Sequence, residues 1–233
     1  MTVLPLGGAA GVWPAERAVE VRAPHFVVYS DAGEKAARRV GERFEQVRAA
    51  FAVVWPWARI DPGAPLVILA PRDEKGLQEL QPGSGRRGRV SLAGFLSPGL
   101  ARYYIAVRAD LVEGRDDEAL HILFHEYAHL VLDLNFERLP LWMNEGLAEL
   151  FGGSAVRSGY VEIGRPLAGH VGRLRVNTLM PLPQLFAVGR HPPEYSEEHR
   201  ATLFYAESWA LVHYFMIDQR ETGPSPWATC SDT

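Results

Sequence analysis

The chain has 233 residues, a formal net charge of −4, and is 47% hydrophobic and 22% charged, the balance of a globular domain long enough to bury a sizeable core. Arg86, Arg87 and Arg89 sit in a Gly/Ser-rich stretch and no basic stripe runs elsewhere, so the electrostatic footprint of a nucleic-acid binder is missing. The single cysteine, Cys230, excludes an internal disulfide framework and a cysteine-based zinc site, and no run reaches the ~18 apolar residues of a transmembrane segment.

In chain order, residues 1–23 read either as a flexible N-terminus or as a signal-peptide remnant: residues 4–12 are a short apolar stretch with small residues, without a basic segment before it. Residues 25–30 form the first predicted strand. A helix over 33–54 follows, with Ala37, Val40, Phe44, Val47 and Phe51 at helical spacing, Ser30 or Asp31 to cap it and Pro56 to end it. Residues 66–70 are an all-apolar run flanked by prolines, so a buried strand, and 73–80 a short helix. A Gly/Pro/Ser loop over 81–88 leads to strands 90–96 and 102–107, joined by the turn Ser97-Pro98-Gly99. Residues 118–134 make a strongly apolar helix, and 141–151 another, stopped by Gly152 and Gly153. Residues 154–180 read as irregular with a hairpin, 182–188 and 202–218 as helices, and 219–233 as a disordered tail. Strands mixed with helices, then helices alone, give an α+β class: one domain over 24–218, with a mixed α/β part (24–134) and a mainly helical part (135–218).

The chemistry concentrates in His125-Glu126-Tyr127-Ala128-His129. At ~3.6 residues per turn, positions four apart differ by about 40° around a helix axis, so His125 and His129 project from one face and can reach one ion, with Glu126 at its edge. Leu120, Ile122, Leu123, Phe124, Leu130, Val131 and Leu132 surround them. A helix this apolar is buried, and polar groups on it need a partner that a metal ion supplies.

A hydrolytic metal site needs a third protein ligand and an open fourth position. Glu145 and Glu149 stand one turn apart on the next helix; Gly146 permits close helix approach, and the short connection containing Pro140 folds this helix back on the first. Glu145 is the expected third ligand, and Glu149 the acceptor for the free ring N–H of a metal-binding histidine. An exposed face for both glutamates is the alternative, which Leu141, Trp142, Leu147, Ala148 and Leu150 oppose. His121 reads as a core or supporting histidine, because a fourth protein ligand would close the site. His199 and His213 read as ordinary structural histidines, with a transition-state donor as the alternative role for either if Tyr205 does not serve.

These residues resemble the gluzincin metallopeptidases, in which H-E-x-x-H is followed by a glutamate ligand in an N-E-G-like motif. Residues 141–148 are similar to the aminopeptidase-N branch. The overall layout, with residues 26–33, is similar to the bacterial peptidase MA-like domains, and the resemblance covers most of 24–218. It implies a zincin-like fold: a mixed sheet whose edge strand, from the 90–107 hairpin, binds extended peptide above the active-site helix. It further implies one Zn2+ held by His125, His129 and Glu145, Glu126 as general base, a peptide or protein substrate, and export in preference to a cytoplasmic location. Tyr205 matches the place of a tyrosine that stabilises the transition state in the aminopeptidase branch; core packing is its other reading. Two departures argue against aminopeptidase activity: the spacing from His129 to Glu145 is shorter, and residues 91–96 lack the glutamate that grips a substrate's free amine. The alternative to an enzyme is a catalytically silent zinc-binding module that binds a peptide or a protein partner.

Overall fold

The computed structural model describes residues 2–5, 18–63, 66–80, 94–98, 103–112, 117–157, 159–189 and 198–218. The expected loop 81–88 and tail 219–233 lie outside these residues, as does Gly99 of the predicted turn.

Two apolar strands set the frame. β3 (Phe26–Ser30) and β4 (Leu66–Ala70) run parallel, in register from Phe26 opposite Leu66 to Ser30 opposite Ala70. Nearly continuous apolar text is what parallel strands show when both faces are covered. β4 is also parallel to β6 (Tyr103–Val107), which pairs antiparallel with β5 (Gly94–Pro98). β5 thus runs through Pro98, where a turn was expected. On the other side β2 (Val19–Arg22) is antiparallel to β3, and β1 (Thr2–Pro5) to β2. The result is a mixed sheet of order β1-β2-β3-β4-β6-β5, with the hairpin's first strand at an edge.

β1 and β2 fall within residues 1–23. The run Val-Glu-Val-Arg is too short and too charged to announce a strand. It becomes one because β3 offers it a ladder, Val21 reaches the core, and Arg22 Nε donates to Glu20 Oε1 at 2.6 Å.

α1 (Glu34–Val54) returns the chain from β3 to β4. Its N-cap is Gly33, at φ 98°, a left-handed conformation open to glycine. Neither Ser30 nor Asp31 caps it, because both are engaged elsewhere. Ser30 Oγ donates to the Ala70 carbonyl at 2.6 Å, and Asp31 Oδ1 accepts from Arg72 N–H at 2.7 Å, tying the ends of β3 and β4 together. α2 (Glu74–Leu80) packs on β6, and the single turn α3 (Ala109–Val112) follows β6.

One core lies between a sheet face (Phe26, Val28, Leu66, Ile68, Ile105, Val107) and two helices, α1 and α4 (Asp117–Asn135). From α1 come Val40, Phe44, Val47 and Phe51; from α4 come Leu123, Phe124, Tyr127, Leu130 and Val131. These α4 positions occupy the arc opposite His125 and His129. Tyr127, fully buried, packs on Phe26 and Phe51, and its hydroxyl donates to the Ile60 carbonyl at 2.9 Å. Asn135 fastens the helix end: its side chain accepts from Arg59 N–H at 2.9 Å and donates to the Arg59 carbonyl at 2.7 Å. α4 also touches β5 and β6, so it runs beneath the sheet edge.

The remainder is helical apart from a small hairpin, β7 (Ala155–Arg157) with β8 (Tyr160–Glu162). α5 (Leu141–Gly152) lies between α4 and α8 (Glu198–His213), which continues into a wider π-type turn at Tyr214–Asp218. α6 (Ala168–Val176) and α7 (Leu182–Ala187) complete the layer. α6 falls where irregular chain was expected; it fully buries none of its residues, so no hydrophobic period marks it. Among the described residues, no helix is long and apolar enough to cross a membrane.

α5 and α8 meet at Gly146. A Cβ there would come within 2.5 Å of the Ser208 carbonyl oxygen and 2.6 Å of Val212 Cγ2. The first obstacle is backbone, so Gly146→Ala must push the helices apart. Denaturant unfolding should show a loss of about 1–3 kcal/mol, the usual cost of overpacking; an unchanged midpoint would mean that the two helices are not in this contact.

Candidate metal centre

α4 turns its apolar arc to the sheet, which leaves His125 and His129 facing α5. Pro140 is the N-cap of α5, and the short connection 136–140 reverses the chain so that the two helices pack side by side. Glu145 then meets both imidazoles. His125 Nε2 and His129 Nε2 are 3.0 Å apart, and Glu145 Oε2 lies 3.4 Å from His129 Nε2 and 3.8 Å from His125 Nε2.

Donors about 2.0–2.1 Å from a tetrahedral ion are separated by about 3.3 Å, the edge of the tetrahedron. The three distances straddle that value. Glu145 Oε2 is buried with no hydrogen-bond partner among the described residues, and a buried carboxylate oxygen left so is costly. The donor set, two imidazole nitrogens and a carboxylate oxygen, suits a divalent cation. His125, His129 and Glu145 are therefore a group that can hold a metal ion.

A second group, His121, His125 and Glu149, shares His125. His125 Nδ1 is 3.4 Å from Glu149 Oε1, and His121 Nε2 is 3.5 Å from Glu149 Oε2. Glu149 Oε2 is already matched, accepting from His170 Nε2 at 2.9 Å. Glu149 thus sits among three histidines, and Glu145 is the carboxylate with an unmet oxygen.

Glu126 is on the same helix, 8% exposed, and its charge acts on His129. Tyr205 comes from α8, whereas the converging donors come from α4 and α5. It is half-buried on α8, edge-on to Phe204 at 5.9 Å. It lies one turn before Ser208 and so on the stripe of α8 that faces α5. His213 points away, to the Gly164 carbonyl at 2.9 Å, an ordinary structural role; the side chain of His199 is outside the described residues. Two neighbours escape the sequence reading. Asn144, buried beside Glu145, favours charge on His129, and His170 comes from α6. Asn144 had a signal in its place next to Glu145, the expected third ligand; His170, an isolated histidine on an unpatterned helix, had none.

The electrostatics show the strain of this packing. Burial, reinforced by neighbouring His129, holds His125 down at about 4 against the pull of Glu149 and Glu145. Burial also opposes charge on His129, but the Glu145 carboxylate 3.4 Å away, helped by Glu126 and Asn144, lifts it to about 9. Burial would raise Glu149; the His170 hydrogen bond and the charges of His125, His121 and His170 bring it down to about 2.

Compared with known proteins, the chain matches no family model and no curated protein.

These shifts set a pH dependence. His125 is depressed from 6.5 to about 4, so the stability it contributes is present above 6.5 and lost on acidification toward 4. His129 is raised from 6.5 to about 9, so its contribution is present below 6.5 and lost as pH rises through 9. Glu149, depressed from 4.5 to about 2, adds a loss at the acid end. The metal-free protein should unfold at its highest temperature near pH 6.5 and less well on either side. A bound divalent cation, whose ligands are deprotonated, should remove the alkaline decline. Thermal unfolding across pH 4–9, with chelator and with zinc, checks this; a metal-free midpoint that stays flat from 6.5 to 9 contradicts the His129–Glu145 pairing.

Proposed function

We propose that the chain is a zinc-dependent peptidase of the gluzincin type, built on a zincin-like fold. The observation that carries this is the convergence of His125, His129 and Glu145 at the spacing of tetrahedral ligands, with Glu126 next to them on the same helix. Three protein donors leave a coordination position open, as hydrolytic sites do and structural zinc sites do not. Zinc bound there would supply Lewis acidity, polarising a carbonyl and making water a stronger acid.

The chain's own groups supply the rest. Glu126 acts as general base, taking a proton from the attacking water and passing it to the leaving amine. Glu149 holds the ring of His125 from behind. Tyr205 is the residue assigned to donate to the developing oxyanion, a role consistent with its α5-facing side of α8. β5, at the sheet edge above α4, suits an extended substrate that adds as a further strand through main-chain hydrogen bonds. The proposed substrate is a peptide or protein. The missing amine-gripping glutamate favours cleavage within chains.

Two measurements test the reading. Purified protein should carry one zinc per chain, and Glu126→Gln should keep that zinc while losing about 100-fold or more of turnover on a mixed peptide library. Equal hydrolysis by wild type and Glu126→Gln, or hydrolysis untouched by a chelator, sinks the mechanism. Zinc bound without any peptide hydrolysis in the wild type would instead identify a silent binding module.

A further inference from the structure

We infer that His170 is a positioning residue for the metal centre, acting through Glu149 on the ring of His125. The inference rests on the zinc reading of His125, His129 and Glu145.

α6 fully buries none of its residues, yet His170 is turned inward, with its side chain 13% exposed. It makes the shortest polar contact to the Glu149 carboxylate: Nε2 to Oε2 at 2.9 Å, against 3.4 Å from His125 Nδ1 to Oε1 and 3.5 Å from His121 Nε2 to Oε2. An ionised carboxylate only accepts. His170 therefore donates through Nε2, fixing Oε2 and leaving Oε1 3.4 Å from His125 Nδ1, a buried nitrogen with no hydrogen-bond partner among the described residues. With its proton on Nδ1, His125 presents the Nε2 lone pair toward His129 and Glu145, the tautomer that a metal ligand requires.

The far side of His170 agrees with this direction. A histidine that donates through Nε2 has an acceptor at Nδ1. The Trp209 indole, on α8, can only donate. Its ring centroid is 5.6 Å from that of His170, and Trp209 Nε1 and His170 Nδ1 are both buried with no hydrogen-bond partner among the described residues. The two are complementary. The hydrogen bond that this geometry does show runs from α6 to Glu149, on the side away from His125. His121 supplies the competing partner: it approaches the same oxygen that His170 holds, its ring packed over Gly152. Without His170, Glu149 is free to turn toward His121 and lets His125 rotate.

The test compares the full-length wild type with His170→Gln, His170→Leu and His170→Asn. Zinc affinity is read by competition with a chromophoric chelator, the site's geometry by the visible spectrum of cobalt, and folding by thermal unfolding in chelator. Gln places an amide N–H where Nε2 stands and should bind zinc much as the wild type does. Leu lacks a donor and Asn is too short to reach Glu149; both should bind about tenfold or more weakly, with an altered cobalt spectrum. Wild-type affinity and spectrum in whichever of these two variants folds overturn the inference. So does loss of folding in both with His170→Gln intact, which would make the residue a support of the fold alone. Two zinc ions per wild-type chain, one of them lost in His121→Ala, would make Glu149 a ligand and also overturn it. No zinc in the wild type is a different result: it removes the metal centre itself.

Discussion

Two imidazoles and a carboxylate are held within 4 Å of one another between two buried helices, where little water can solvate them. Such an arrangement is unfavourable unless something in the middle satisfies all three. The scaffold enforces it from both sides. α4 is pinned from beneath by Tyr127, wedged between Phe26 and Phe51 and bonded to the Ile60 carbonyl. α5 is pressed onto α4 by α8, whose backbone reaches the surface of Gly146. Neither helix can turn its polar face away without undoing apolar packing on its other side.

This division of labour explains why the centre is legible in the sequence. On α4 the core residues and the histidines obey the same helical period with opposite phase, so the pattern that predicts burial also predicts which side is left for chemistry. Glu145 and Glu149 inherit their positions from α5 in the same way, once the short connection forces the two helices into contact. The central strands and α1 are legible for a related reason, since unbroken apolar runs and helical spacing are strong signals.

What escaped the sequence depends on partners distant in the chain. β2 is a strand because β3 lies beside it, and nothing in its four residues says so. Ser30 and Asp31 carry the chemistry of helix caps, but the ends of β4 compete for them and win. His170 belongs to a helix with no apolar face, and its importance lies in where α8 and α5 leave room for it. Tyr205 shows the reverse limit: sequence resemblance can name a role for it, while the packing places it only on the side of α8 that faces α5.

The position of the sheet edge gives the centre its setting. α4 runs under β5 and β6 with its apolar arc, and the histidines on its other side face α5. Burial and the charge of its neighbour keep His125 lowered while Glu145 raises His129, so the two rings favour opposite charge states in one small space.

The brevity of the connection between α4 and α5 has a further effect. All three proposed ligands come from consecutive helices, while the sheet needs long crossovers to bring β3, β4 and β6 together. A cation clasping the helical pair would tie down a segment already short, and so would remove little disorder from the unfolded chain. Its stabilisation would come from discriminating the folded geometry rather than from cross-linking. The pair could assemble as a local unit of low contact order, well before the parallel strands find one another.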